Sequence, residues 1–209
     1  MKPKYLVIEG NIGSGKTTLA HLLADHYQGR LMLEQFSDNP FLPLFYKDKA
    51  RYAFSLELSF LAERYQQQRE SLLNRDLFQE IIIADYIWEK SELFAHANLN
   101  EAEYNLFQRM AGIMKTNLPK PDLLLYLHTP IRKLQRQIKM RGREYEQEIT
   151  DEYLQTIEDA YTRFLQQTEL PVLRIDMTHA DFNRPGDVQQ LISFLENQEE
   201  FKKQTIFIP

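Results

Sequence analysis

The clearest chemical signature lies near the start of the chain. Gly10-Asn11-Ile12-Gly13-Ser14-Gly15-Lys16-Thr17-Thr18 fits the pattern glycine, four residues, glycine, lysine, serine or threonine. Each position has a physical reason. The glycines reach positive φ and let backbone N–H groups converge on phosphate oxygens with no Cβ in the way. A helix opening at the end of the loop adds its N-terminal dipole. Lys16 would reach the β- and γ-phosphates of a nucleotide, and Thr17 would hold Mg²⁺. Only seven glycines occur in 209 residues, so finding three of them in this loop marks it as the place where function sits. The loop reads as a nucleoside triphosphate site, against the plain alternative of a tight strand–helix turn.

Three further groups supply what phosphoryl transfer needs beyond the loop: a base, a second acid near the metal, and cations for the moving group. Glu34 could take the proton of an acceptor hydroxyl. Asp85 could bind Mg²⁺ directly or through water. Arg141-Gly142-Arg143, with Arg136 and Lys139 just before it, reads as a lid over phosphates. The bland alternatives are helix caps for Glu34 and Asp85 and a solvated charged turn for the arginines.

The elements that must position these residues are legible as short apolar runs: Tyr5–Ile8, Leu31–Leu33, Ile81–Ile83, Leu123–Leu127 and Val172–Ile175. Unbroken rather than alternating hydrophobicity suits strands buried on both faces. Segments near 16–27, 52–74, 100–117, 130–140, 150–168 and 186–197 carry helical spacing, with Pro130 and Thr150 where helices begin. The alternation predicts an α/β fold: a five-stranded parallel sheet flanked by helices, in one domain spanning 1–209. Glu9, Glu34, Asp85 and Asp176 lie at or near the carboxyl ends of four runs, where ligands bind in such sheets. The tail from Asn197 to Pro209, charged and then apolar, would dock on the core or on a partner.

Composition excludes several classes. The absence of cysteine rules out a disulfide scaffold, a thiolate zinc site and a cysteine nucleophile. A net charge of −5 argues against coating a nucleic acid polymer. There is no 18-residue apolar run to span a membrane. The apolar stretch after Met1-Lys2-Pro3-Lys4 is too short for a signal peptide, so the expected compartment is the cytoplasm. No Asn-Lys-x-Asp occurs to read guanine in a regulatory GTPase.

Taken together, these motifs resemble the deoxynucleoside kinase family along nearly the whole chain. The loop string is the form that family uses. Glu34-Gln35-Phe36 resembles its Glu-Pro-Val segment, which implies that Glu34 is the general base for a 5′-hydroxyl. Tyr46, eleven residues before Glu57, resembles the tyrosine that contacts the 3′-hydroxyl. Arg141-Gly142-Arg143-Glu144-Tyr145-Glu146 resembles the lid, which gives Glu146 a contact to the same hydroxyl. The resemblance implies a P-loop kinase fold with a short arginine-rich lid, ATP as donor, Mg²⁺, a nucleoside acceptor (purine by similarity to short bacterial members) and a homodimer.

Three positions depart from that pattern. After the third run the chain reads Asp85-Tyr86-Ile87 instead of acid-Arg-Ser, with Lys90 one turn later as a substitute for the missing arginine. Gln137 stands where the first lid arginine is expected, and Arg136 points about 100° away from it on a helix. Glu57 stands where the family reads the base with glutamine. Glu57, Leu61, Arg64 and Gln68 share one helical face, so Glu57 and Arg64 would converge on one ligand edge. An ionised carboxylate only accepts hydrogen bonds, which favours donor-rich base edges and disfavours thymine. The alternative is that Glu57 pairs with Arg64 and touches no base. Phe36, Phe41, Phe45, Phe54 and Tyr86 are candidates to sandwich a base, and Thr178 to Phe182 to pack on the adenine of ATP. The rival functions are a nucleoside monophosphate kinase of the thymidylate kinase type and a nucleotide-dependent switch without transfer chemistry.

Overall fold

Each of the five apolar runs forms a strand, and a sixth strand joins them. A computed structural model describes residues 3–36, 39–73, 81–115, 118–198, 200–201 and 203–209. Residues 1–2, 74, 116–117, 199 and 202, which belong to segments read from the sequence, lie outside these. The strands are β1 (Tyr5–Gly10), β2 (Arg30–Met32), β3 (Ile82–Ala84), β4 (Leu123–His128), β5 (Val172–Asp176) and β6 (Gln204–Phe207). They form one parallel sheet in the order β2-β3-β1-β4-β5-β6. The sheet therefore has six strands, not five. The apolar end of the tail docks on the core, pairing Val172 with Gln204 and Ile175 with Phe207.

The helices are α1 (Lys16–Tyr27), α2 (Leu42–Lys47), α3 (Lys49–Gln68), α4 (Lys90–Asn98), α5 (Glu101–Lys115), α6 (Ile131–Arg141), α7 (Asp151–Gln167) and α8 (Pro185–Asn197). A π-helical turn, Arg69–Leu73, extends α3, and a 3-10 turn, Glu144–Glu146, follows α6. Six of the helices match the sequence reading, while α2 and α4 add to it. Pro130 is the N-cap of α6, and the Thr150 side chain caps α7 by accepting from Tyr153 N at 3.2 Å. Among the described residues, no helix is long and apolar enough to cross a membrane.

The pleat of β1 explains the layering. Tyr5 and Val7 enter a core shared with α3, α6 and α7, whereas Leu6 and Ile8 enter one shared with α1 and α8. Trp88, Phe107 and Ala111 anchor a third cluster, packed with Leu61 of α3 and Ala95 of α4. The chain leaves β1 toward β3 and β2 on one side and later adds β4, β5 and β6 on the other. That switch point puts the loop after β1 at the ligand crevice of a doubly wound sheet.

Candidate active site

The glycine-rich loop runs from the end of β1 to the first residue of α1, Lys16, with Gly15 as a left-handed N-cap. Gly13 shows why glycine is required. Its φ is +81°, and a Cβ there would lie 2.8 Å from Ile138 Cγ1 and 3.3 Å from the Leu134 carbonyl. Backbone strain of this kind costs about 1–3 kcal/mol. Gly13→Ala is therefore expected to weaken ATP binding by about ten- to a hundredfold, measured by calorimetric titration. Unchanged affinity would mean that the loop binds without this conformation.

Asn11 fixes the loop to α7. Its Nδ2 donates to the Leu154 carbonyl at 2.8 Å and to Glu158 Oε2 at 3.3 Å, and its Oδ1 accepts from Ile12 N at 2.8 Å. Lys16 Nζ donates to the Gly10 and Asn11 carbonyls at 2.9 and 3.0 Å. Burial, with help from nearby Lys90, lowers the Lys16 ammonium to about 8. Beneath the loop lies Glu9, wholly buried, which accepts from Tyr161 OH at 2.6 Å and from Ile87 N at 2.9 Å. Sequence reasoning placed Glu9 only at a strand end; its bonds show a floor beneath both the loop and the segment after β3.

Asp85 follows β3 and joins two halves of the site. Its Oδ2 accepts from the Thr17 hydroxyl at 2.6 Å, and its Oδ1 accepts from Glu34 N at 2.7 Å. Glu34 itself is clamped. Its Oε1 accepts from Arg64 Nε at 2.8 Å and Nη2 at 2.5 Å, while its Oε2 accepts from Lys90 Nζ at 2.5 Å. Burial alone would raise this carboxyl, but Lys90 and then Arg64 overcome it and hold Glu34 at about 2. Arg64 also donates to Ser91 Oγ at 2.8 Å. The structure thus gives Arg64 to Glu34 rather than to the same edge as Glu57, because the guanidinium reaches across to the loop after β2. Lys90, on α4, supplies the second cation.

Glu57 is buried, and its Oε1 accepts from Asn98 Nδ2 at 2.7 Å. Its Oε2 has no hydrogen-bond partner among the described residues. Burial pushes the carboxyl up to about 7, against the Asn98 hydrogen bond and the Arg64 charge. Burial thus brings the neutral acid of Glu57 into play beside the ionised form that the sequence reading assumes.

The lid segment folds inward. Arg141 and Arg143 both pair with buried Glu146, Arg143 at 3.1 Å. The Arg143 guanidinium lies 4.1 Å from the Phe36 ring centre, and Tyr145 stacks on Tyr46. Gly142, at φ +72°, ends α6 and turns the chain between the two arginines. Arg136 is exposed on α6 and is not among the residues that line the cleft.

These residues line one concave cleft, the kind of site that takes a small-molecule ligand. Gly13, Lys16, Thr17, Glu34, Tyr46, Glu57, Arg64, Asp85, Arg141, Arg143 and Glu146 all line it. Tyr86 does not. It is fully buried in the core and donates through its hydroxyl to Gln67 Oε1. Phe36 and Phe45 line the cleft, whereas Phe41 packs behind it and Phe54 joins the third cluster. Phe60, Phe94, Asn98 and Tyr153 line it too and were not found in the sequence. The stretch from Met177 to Ala180, which overlaps the expected adenine segment Thr178 to Phe182, is tied to α6 by Lys133 Nζ, which donates to the Met177 and Ala180 carbonyls.

A parallel sheet with this loop, an acid after β3 and an arginine lid defines a P-loop kinase. Solved structures agree on the fold: deoxyadenosine kinase from M. mycoides, with the products dCMP and a flexible dCDP bound, superposes with a TM-score of 0.81 at 22% identity, over 93% of this chain and 100% of that one. The family model for deoxynucleoside kinases matches residues 6–201, and the chain belongs to that family. Deoxyguanosine kinase from Bacillus subtilis is 32% identical, covering 85% of this chain and 88% of its own length. Deoxyadenosine kinase from Dictyostelium discoideum is also 32% identical, covering 90% and 77%. The protein is an ATP-dependent deoxynucleoside kinase, which sets aside the monophosphate kinase and the non-catalytic switch.

Proposed function

We propose that the acceptor is a purine deoxynucleoside and that Glu34 takes the proton of its 5′-hydroxyl as the γ-phosphoryl group of ATP moves onto that oxygen. The observation that carries this reading is the single hydrogen-bonded set Thr17–Asp85–Glu34. It joins the donor loop to a carboxylate in the cleft that also holds Glu57. The names of the relatives, deoxyguanosine kinase and deoxyadenosine kinase, support the purine assignment.

In the resting arrangement Glu34 is ionised but strongly held by two cations, which makes it a weak base. Phosphoryl oxygens entering the cleft compete for Lys90 and Arg64. As those cations turn to the phosphates, the Glu34 carboxyl gains proton affinity at the step where it is needed. Lys16, Arg141 and Arg143 neutralise the charge of the transferring group. Tyr46 and Glu146 hold the 3′-hydroxyl, as the family resemblance implies. Thr17 and Asp85 offer one hydroxyl and one carboxylate oxygen at hydrogen-bonding distance of each other. Two hard oxygen donors, with remaining positions left to phosphate oxygens and water, suit Mg²⁺. Bound there, the ion would offset the charge of the phosphates. A homodimer in the cytoplasm, as the family resemblance implies, completes the reading.

The test is a panel of deoxynucleosides, ribonucleosides and their 5′-monophosphates with ATP and Mg²⁺, scored by chromatography of the products. Deoxyadenosine and deoxyguanosine should give 5′-monophosphates and be the best acceptors of the panel. Turnover of monophosphates alone would overturn the reading.

A further inference from the structure

Glu57 presents an unusual combination. It is 1% exposed, lines the cleft, and keeps one carboxyl oxygen without a partner. The groups facing it come from four directions: Arg64 from its own helix, Glu34 from the loop after β2, Asn98 and Lys90 from α4, and Tyr153 from α7. The two cations among them both pair with Glu34, so neither forms an ion pair with Glu57. Asn98 meets a single oxygen. The second oxygen is buried and unpaired beside the cleft, so a base bound there would offer the partner it lacks.

The two forms of a carboxyl group offer different edges. A carboxylic acid donates from one oxygen and accepts at the other, as a glutamine amide does; a carboxylate only accepts. The Watson–Crick edge of adenine pairs an amino donor with the N1 acceptor. That of guanine places two donors side by side, N1–H and the 2-amino group. The acid form is complementary to adenine, and the carboxylate to guanine. Oε1 retains a lone pair beside its Asn98 bond, so both oxygens can engage the base.

Resting on the purine reading above, we propose that Glu57 is a specificity-determining residue with two protonation states, reading adenine as the neutral acid and guanine as the carboxylate. One side chain then serves two bases, and proton concentration sets the preference between them. Burial of this carboxyl places the exchange near neutral pH.

The test is a competition assay with deoxyadenosine and deoxyguanosine in one reaction, run from about pH 6 to about pH 8. The ratio of their kcat/KM values cancels every pH effect common to both. Since the ratio of acid to carboxylate is proportional to proton concentration, the preference for deoxyadenosine should fall about tenfold per pH unit. In Glu57→Gln, which cannot ionise, the ratio should stay constant over the same range. A flat ratio in the native enzyme, with both purines turned over, overturns this inference alone and needs no variant to fold. A ratio that still moves about tenfold per unit in Glu57→Gln also overturns it. Failure to phosphorylate either purine at any pH overturns the purine reading and this inference together.

Discussion

Glu34→Gln lowers kcat by about 100- to 10,000-fold, the range expected when a general base is removed, while ATP affinity stays within about twofold of the native value. Glutamine keeps the shape, but its single acceptor oxygen can serve Arg64 or Lys90 and not both, so the change removes basicity and one of the two cation contacts. Single-turnover rates with deoxyadenosine and nucleotide titration measure the two quantities separately. A kcat within about threefold of native would remove Glu34 from the chemical step, since no positioned base contributes so little. Equal losses of rate and ATP affinity would instead make Glu34 a structural support for the loop.

Arg64→Met is the change with the largest expected effect on stability. Arg64 is almost wholly buried and makes three side-chain hydrogen bonds, two to Glu34 and one to Ser91. Removing one partner of a buried ion pair costs about 3–5 kcal/mol, because the remaining charge is left in a poor solvent. For a chain of this size that lowers Tm by about 6–20 °C, read by calorimetry. The double variant Glu34→Gln, Arg64→Met should recover part of that loss, and additive effects would deny the coupling. The pH dependence has a definite sign. Glu34 is lowered from 4.5 to about 2 by folding, so its contribution is complete above 4.5 and is lost as pH falls toward 2. Without Arg64 the folded value rises, and acid unfolding of the variant moves to higher pH.

The residues legible in the sequence are those at the carboxyl ends of strands. Lys16, Thr17, Glu34 and Asp85 needed only apolar runs, a loop motif and the parallel-sheet rule to be brought together. What stayed hidden depends on packing between distant segments. Asn98 and Tyr153 meet Glu57 from helices 41 and 96 residues further along, as the positions show. The α4 segment hides because Lys90 and Ser91, two of its buried residues, are polar and dilute its apolar stripe. Lys90 was placed as a stand-in for the absent arginine by spacing alone, yet its bond to Glu34 follows from where α4 begins. Tyr86 misled because it adjoins Asp85; the two side chains take opposite courses, one to the cleft and one to the core. The sixth strand was obscured by its alternation of exposed and half-buried residues after a charged stretch. Its pairing is set by α8, which returns the chain to the edge of β5.

Thr17 follows β1 and Glu34 follows β2, but these strands are not neighbours: β3 runs between them. No backbone ladder fixes the spacing between the two ends directly. Asp85, at the end of the intervening strand, does so with one oxygen on each side. It acts as a ruler laid across three strands. In-line transfer needs the attacking oxygen within about 3–3.5 Å of phosphorus, and an error of about 1 Å can cost a hundredfold in rate. With Glu34 as the base proposed above, the tolerance of the reaction would rest on the length of one aspartate side chain, whatever charge it also lends to a metal ion.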